Sequence, residues 1–187
     1  MDKIKIVGLV GKAGAGKDCI LRHLMERRPD LHEIVSCTSR PPREGEIHGV
    51  NYYFHTKEEF LNKIVNKEML EHALFRDWYY GTSLDGIDPN KTNVGVFNLE
   101  GINNLLANPN IELQVFYIWA DDKTRLLRQL SREENPDVKE IIRRFGVDET
   151  DFERFSHIIE SEHCHKIINN AFSLPDTCAL LISDRID

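Results

Sequence analysis

Long apolar runs are missing from this sequence. No stretch approaches the roughly 18 consecutive apolar residues of a transmembrane helix. The N-terminal MDKIKIVGLV has neither the apolar length nor the small-residue cleavage site of a signal peptide. Cysteine is scarce. Cys19, Cys37, Cys164 and Cys178 have neither metal-knuckle nor disulfide-framework spacing and read as thiols of a reducing cytoplasm. His163-Cys164-His165 groups three possible ligands, but adjacent residues alternate faces in a strand and no fourth ligand stands at a suitable spacing. No metal site is expected there. Net positive charge is absent too: the formal charge of −7 argues against a general nucleic-acid binder, though it leaves room for a local cluster of Arg and Lys around an anion. Internal repeats, low-complexity tracts and linkers are also lacking. The 187 residues, 41% hydrophobic and 29% charged, suit one globular domain with a real core.

The most informative stretch present is Gly11-Lys12-Ala13-Gly14-Ala15-Gly16-Lys17-Asp18. It fits G-x-x-x-x-G-K, a loop whose backbone N–H groups cradle phosphates, except that Asp18 stands where Ser or Thr usually follows the lysine. Lys3 to Val10 reads as a buried parallel strand, and Ile20, Leu21, Leu24 and Met25 recur at helical spacing until Arg27-Arg28-Pro29. The loop thus joins a strand to a helix, the setting this motif requires.

Further strands are expected at Ile34–Cys37, Val50–Phe54, Val94–Leu99, Ile111–Trp119 and Lys166–Ile168. Helices are expected at Thr56–Val65, with Phe60, Leu61, Ile64 and Val65 inward, and from Gly101 through Leu106. Others are Asp122–Ser131, with Leu126, Leu127 and Leu130 on one face, then Asp148–Glu162 and Leu174–Ile186. The charge-dense run of Arg125, Arg128, Arg132, Glu133 and Glu134, with Arg143-Arg144 beyond it, reads as a solvated helix face. Alternating strands and helices imply an α/β fold, a parallel sheet with helices on both faces. Residues 36 to 83 are too closely spaced for βαβ units and predict a small antiparallel insert.

Within that insert, Thr38-Ser39-Arg40-x-Pro42-Arg43-x-Gly45-Glu46-x-x-Gly49-x-x-Tyr52-x-Phe54 is followed by Glu71-x-Ala73 and Tyr79-Tyr80-Gly81-Thr82. With the phosphate loop ahead of them, these motifs make the chain resemble the guanylate kinase family of P-loop nucleoside monophosphate kinases, from the loop to about Asn170. The resemblance implies a P-loop NTPase fold: a core of residues 1–35, 84–130 and 163–187, an acceptor-nucleotide insert at 36–83 and a helical lid at about 131–146. It implies that Arg40, Arg43, Tyr52 and Tyr80 hold the monophosphate, which suits guanidinium forks and phenols. Glu71 would accept from guanine N1–H and the exocyclic amine, and Ser36 and Thr82 would donate to O6. Asn98 would lie at the base or a water. On the ATP side it implies Gly11, Ala13, Gly14, Ala15, Gly16, Lys17, Asp18 and Cys19 around the phosphates and Asn170 near the donor base. Lys17, Arg132 and Arg144 would be catalytic, and Mg²⁺ the cofactor.

Three departures stand out. Asp18 replaces a hydroxyl residue, an ending that also resembles some phage-type deoxynucleoside monophosphate kinases; its carboxylate could still take the Mg²⁺ role. Val96-Phe97-Asn98 replaces the family's Asp-x-Asp. Gln129 stands where the family usually has Arg. The function expected from the resemblance is transfer of the ATP γ-phosphate to GMP or dGMP by a cytoplasmic monomer or homodimer without nucleic-acid or membrane partners. The alternatives are a deoxynucleoside monophosphate kinase of other or broader base preference, and a guanylate-kinase-like binding module.

Overall fold

A computed structural model describes residues 3–75, 77–132, 134–170 and 174–186. Glu133 of the charged run lies outside them. Strand β1 (Ile4–Val10) leads through the glycine loop into helix α1 (Lys17–Arg27). Strands β2 (His32–Glu33), β3 (Cys37–Thr38) and β4 (Tyr53–Phe54) follow, then α2 (Lys57–Val65), β5 (Met69–Phe75) and β6 (Trp78–Ser83). A 3₁₀ turn at Leu84–Gly86 precedes β7 (Asn93–Val96), α3 (Leu99–Leu106) and β8 (Ile111–Trp119). The chain closes with α4 (Asp122–Leu130), α5 (Val138–Arg154), α6 (Ser156–Ile159), β9 (Cys164–Ile168) and α7 (Pro175–Ser183).

Two sheets form. The larger has the order β2-β7-β1-β8-β9, with β2–β7 and β8–β9 parallel. It is the expected parallel sheet of an α/β fold, flanked by helices. Ile6, Val7, Leu9 and Val10 are all buried, as a strand covered on both faces requires. The smaller sheet, β4-β3-β6-β5, is mixed: β3 pairs parallel with β4 and antiparallel with β6, and β6 pairs antiparallel with β5. By packing density the chain divides into two compact units, one of residues 1–6, 30–95 and 100–113 and the other of residues 7–29, 96–99 and 114–187.

In the first unit the expected strand Ile34–Cys37 is split. The Ile34 amide still donates to Val94 O at 2.8 Å in the large sheet, whereas Ser36 O already accepts from Tyr53 N at 2.9 Å in the small one. One short apolar run therefore serves two sheets, with 34–36 as the crossing. Helix α2 begins in a reciprocal capping box, Glu59 N to Thr56 Oγ1 and Thr56 N to Glu59 Oε2. It buries Phe60, which stacks on Tyr79 at 5.5 Å, but Leu61 and Val65 are exposed, contrary to the inward face expected for them. Two turns of helix over a small sheet have room to bury one aromatic and not a broad stripe.

Strand β7 is shorter than expected, because Leu99 already starts α3. It opens on the fully buried Asn93, whose amide nitrogen donates to Lys5 O, Asp88 O and Lys91 O, while Oδ1 accepts from Asp88 N at 2.9 Å. Every polar atom of the side chain is used to close the 88–92 loop onto β1. Asn93→Ala is expected to cost about 2–3 kcal/mol by leaving these groups unpaired, read as a fall in Tm of roughly 5–10 °C in scanning calorimetry. A change below about 1 °C would show the loop closed by other contacts.

In the second unit, α1 is held to α7 by a bidentate pair from Arg27 to Asp176 (2.9 and 2.6 Å), and Arg28 caps the end of α7 through Ser183 O and Ile186 O, both at 3.2 Å. Helix α5 starts ten residues before the expected Asp148, just after Asn135-Pro136, with Asp137 as its N-cap accepting from Glu140 N at 3.1 Å. The face of α4 differs most from expectation: Leu127 is exposed, while Thr124 and Arg125 are buried. The reason is electrostatic and belongs to the site.

Candidate functional site

In the second unit the loop between β1 and α1 turns on two glycines in the left-handed region, Gly14 (φ 79°) and Gly16 (φ 93°), the latter capping α1. Both sit against neighbours that leave no room for a side chain. A Cβ on Gly14 would meet Arg125 O at 2.5 Å, one on Gly16 would meet Asn169 Nδ2 at 2.6 Å, and one on Gly11 would meet Ile118 O at 2.4 Å. The glycines are therefore needed to seat the loop on β8, α4 and the end of β9.

Lys17 curls back over the loop, its ammonium donating to Gly11 O at 2.7 Å and Lys12 O at 3.5 Å. Burial lowers its pKa below the ordinary lysine value, against the opposing pull of Asp18 and Asp148. Asp18 is exposed in the first turn of α1, and half-buried Cys19 accepts from Arg22 at 3.5 Å. Ala15 is buried; its carbonyl accepts from Asn169 Nδ2 at 2.7 Å and from Arg128 at 3.4 Å. Arg128 also reaches Gly14 O at 3.3 Å, and Gln129 reaches Ala13 O at 3.4 Å.

Two carboxylates of α5 come to the same loop. Asp148 Oδ2 accepts from the Ala13 amide at 2.6 Å, and Glu149 pairs with Lys12. Between them lies Arg125, whose charge they balance, so a residue expected on a wet helix face is 1% exposed. Of the two arginines expected to be catalytic, Arg132 is exposed just beyond α4, and Arg144 lies on α5 with Nε donating to Glu140 Oε1 at 2.8 Å. Glu140 also takes the Arg143 fork, at 2.6 and 2.7 Å. Asn170 follows β9, its Oδ1 accepting from Asp121 N at 3.4 Å. Asn98 is in this unit as well, exposed and one residue after Phe97.

The remaining acceptor-side residues fall in the first unit, on the small sheet. Arg40 is nearly buried and makes a fork to Glu46, 2.9 Å on each arm, while its Nε has no hydrogen-bond partner among the described residues. Its guanidinium lies 5.6 Å from the Tyr52 ring centre and 5.8 Å from that of Phe54; Tyr52 meets Tyr80 edge-on at 6.1 Å. Burial works to raise the Glu46 pKa, but the Arg40 fork and the Arg43 amide, 2.7 Å from Oε2, outweigh it and hold the carboxyl below its usual range. Glu46 thus orders both Arg40 and the Arg43 backbone. Thr38 and Ser39 fasten this segment to β6, through Thr38 Oγ1 to Tyr79 O at 3.0 Å and Tyr79 N to Ser39 Oγ at 2.8 Å.

Glu71, on β5, stands opposite Thr82 on β6, and Ala73 stands opposite Tyr80. Glu71 is 8% exposed. Burial pushes its pKa up to about 7, against the opposing influence of the Thr82 side chain and amide. Thr82 Oγ1 is itself buried without a partner at hydrogen-bonding geometry among the described residues. Thr82 Oγ1, across from the buried Glu71 carboxyl, and Arg40 Nε are thus buried polar atoms with bonding capacity left over. Arg40, Tyr52, Glu71, Tyr80 and Thr82 belong to this one sheet or its immediate rim, with Ser36 at its entry and Arg43 in the exposed turn beyond Arg40. Sequence patterns did not point to Arg125, Asp148, Arg128 or Asn169, whose roles around the loop come from contacts distant in the chain.

The chain is similar to known proteins over most of its length. Residues 3–173 match the family model described as guanylate kinase. A guanylate kinase of Chlamydia felis is 29% identical over 177 residues, covering 90% of this chain and 87% of that protein. One from Synechococcus sp. is 50% identical over a shorter 78 residues, 42% of this chain and 36% of its own length. Among the curated relatives first matched, the shared region spans less than half of the relative. In fold, the chain is similar to the crystal structure of guanylate kinase from Anaplasma phagocytophilum, with a TM-score of 0.69 at 20% identity over 99% of this chain and 85% of that one. A family match that takes in the glycine loop, the Arg40–Thr82 sheet and the helix bearing Arg144 alike shows that this chain belongs to the guanylate kinase family.

Proposed function

We propose that this chain transfers the γ-phosphoryl group of ATP to GMP or dGMP, giving ADP and the nucleoside diphosphate. The observation that carries the guanine assignment is Glu71, a buried carboxylate on β5 facing a buried hydroxyl on β6 that has no hydrogen-bond partner among the described residues. Guanine offers two adjacent donors, N1–H and the exocyclic amine, together with an acceptor, O6; that edge matches a carboxylate beside a hydroxyl. A base lacking the two donors would leave the carboxylate buried and unpaired, at a cost of about 1–3 kcal/mol or more.

In this reading residues 36–83 receive the acceptor and residues 131–146 act as a lid, on a core of 1–35, 84–130 and 163–187. Arg40, held flat by Glu46, and Arg43, Tyr52 and Tyr80 bind the monophosphate. Ser36 and Thr82 serve O6, and Asn98 a base or water contact. Amides from Gly14 to Cys19 and the Lys17 ammonium hold the donor phosphates, the Ala13 amide being held by Asp148, and Asn170 holds the donor base. Phosphoryl transfer needs positioning and charge neutralisation more than covalent chemistry. Arg132 and Arg144 supply the neutralisation, Arg144 after exchanging Glu140 for a phosphate oxygen. Lid closure keeps water from the γ-phosphate.

Mg²⁺ fits the residues present. It keeps several waters and takes one or two carboxylates together with substrate phosphates, and Asp18 offers one exposed carboxylate directly after Lys17. Among the described residues no group of three or more His, Cys, Asp or Glu is gathered for a metal, so the ion would arrive with the nucleotide. Bound there, it would neutralise charge on the β- and γ-phosphates. Without it Asp18 faces those phosphates as a like charge. ATP affinity is expected to depend on Mg²⁺ about tenfold more strongly in the wild type than in Asp18→Ser, measured by titration with and without the ion; equal dependence in both would remove Asp18 from the metal role.

The departures Asp18, Val96 and Asn98 favour a second reading, a deoxynucleoside monophosphate kinase of other base preference. A turnover assay across all monophosphates, following ADP, tests both. Strong preference for UMP, dTMP or dCMP overturns the guanine assignment, and no ADP with any of them points to a binding module. No helix among the described residues is long and apolar enough to cross a membrane, and we place the enzyme in the cytoplasm as a monomer or homodimer.

A further inference from the structure

We infer that Arg125 is a positioning residue that sets the register between the phosphate loop and the helix carrying Arg144. The inference rests on the kinase reading above for the role of Arg144, but its geometry stands apart from it. A side chain 1% exposed that keeps its charge is costly, and an apolar residue of similar volume would fill the space at less expense. What the guanidinium adds is direction. Its Nε donates to Ala13 O at 3.1 Å, one terminal nitrogen to Asp122 Oδ1 at 2.9 Å and Glu149 Oε1 at 3.3 Å, and the other to Asp148 Oδ2 at 3.3 Å.

Asp148 Oδ2 also accepts from the Ala13 amide at 2.6 Å. The Arg125–Asp148 pair therefore holds residue 13 by both its N–H and its C=O. The next residue, Gly14, rests on the Arg125 backbone, where a Cβ would come within 2.5 Å of the carbonyl oxygen. On the other side, Phe145, Asp148 and Glu149 of α5, spaced i, i+3 and i+4 on one helix face, all converge on the guanidinium; the Phe145 ring centre is 4.4 Å from it. Glu149 adds its pair to Lys12. Arg144 adjoins Phe145 on the same turn, so its approach is fixed by how α5 sits on Arg125. A planar fork with several fixed directions can set that register, and a lysine point charge cannot.

The test compares wild type, Arg125→Lys, Arg125→Met and Asp148→Asn for kcat and KM with ATP and GMP, for ADP affinity by calorimetric titration, and for Tm. Arg125→Lys is expected to lower kcat about tenfold or more and weaken ADP several-fold, with GMP KM within about twofold, since a small misplacement of the loop is felt by the donor side alone. Asp148→Asn should move the same two quantities in the same direction, and Arg125→Met combined with Asp148→Asn should be no worse than Arg125→Met alone. A lower Tm with kcat and ADP affinity unchanged, or an equal loss in GMP and ADP binding, overturns the proposal. If Arg125→Met does not fold, Asp148→Asn decides by the same two readouts. If wild type transfers nothing to GMP the kinase reading fails, and ADP affinity in these variants still decides the role of Arg125.

Discussion

Lys17→Met is expected to lower phosphoryl transfer from ATP about 10²–10³-fold, the usual effect of removing one preorganised charge from a transferring group, while GMP binding stays unchanged. The ammonium is held at the loop by Gly11 O and Lys12 O, and burial has already removed part of its hydration. A phosphate oxygen offers it more than two neutral carbonyls do, so it is poised to exchange partners. Methionine keeps the length and the apolar stem but supplies no charge. Burial lowers the lysine pKa, whereas Asp18 and Asp148 pull it up. The variant also removes the positive charge beside Asp18, which should weaken ATP as well as slow transfer, while Asp148 keeps its pair with Arg125. Steady-state kinetics with ATP and GMP separate the effects. A kcat within about fivefold of wild type would exclude Lys17 from the chemistry.

The second large effect is expected at Glu71. With a carboxyl pKa of about 7 against an ordinary 4.5, the folded, ligand-free protein binds this proton more tightly than the unfolded chain. The shift therefore opposes folding. The penalty is absent below about pH 4.5, grows as pH rises to about 7 and is complete above it, on the order of 3 kcal/mol. Binding runs the other way. Guanine donors require the ionised carboxylate, so GMP affinity should be greatest above pH 7 and fall about tenfold per pH unit below it. The phosphate of GMP itself titrates near pH 6; Glu71→Gln carries the same ligand without the carboxyl and provides the reference. That variant should bind GMP about 10²-fold more weakly at pH 8, and wild type should converge on it as pH falls. Parallel profiles for the two proteins between pH 5.5 and 8 would remove Glu71 from base recognition.

These two residues show how unevenly the site could be read in advance. Lys17 belongs to a contiguous motif, where backbone geometry over eight residues is local and spacing alone carries the information. Glu71 was marked by a resemblance, but its raised pKa is a property of burial between two paired strands, which outweighs the opposing Thr82 across from it. Arg40 stood out as a phosphate fork, whereas Glu46, the residue that holds it flat, sat in the same motif without a role assigned. The expected inward face of α4 failed because Leu127 is exposed and Arg125 is buried. Hydropathy orders a leucine inward and an arginine outward, and only a matched set of carboxylates reverses that order.

By itself the sequence determined the strand–loop–helix at the N-terminus, the extent of Ile111–Trp119, and the α/β alternation. Each follows from short-range periodicity and from the few residue types that tolerate a tight turn. Only the tertiary structure decided that Ile34–Cys37 would be divided between two sheets, because hydrogen-bond partners at Val94 and Tyr53 compete for one short run. It also decided that Gly14 and Gly16 would be confined by α4 and by Asn169, and that Asp148 and Glu149 would enclose Arg125 against the loop. A buried charge is stable only where its counter-charges arrive with it. Asp122 stands three residues before Arg125, but Asp148 and Glu149 lie more than twenty residues away on another helix, which no local pattern records.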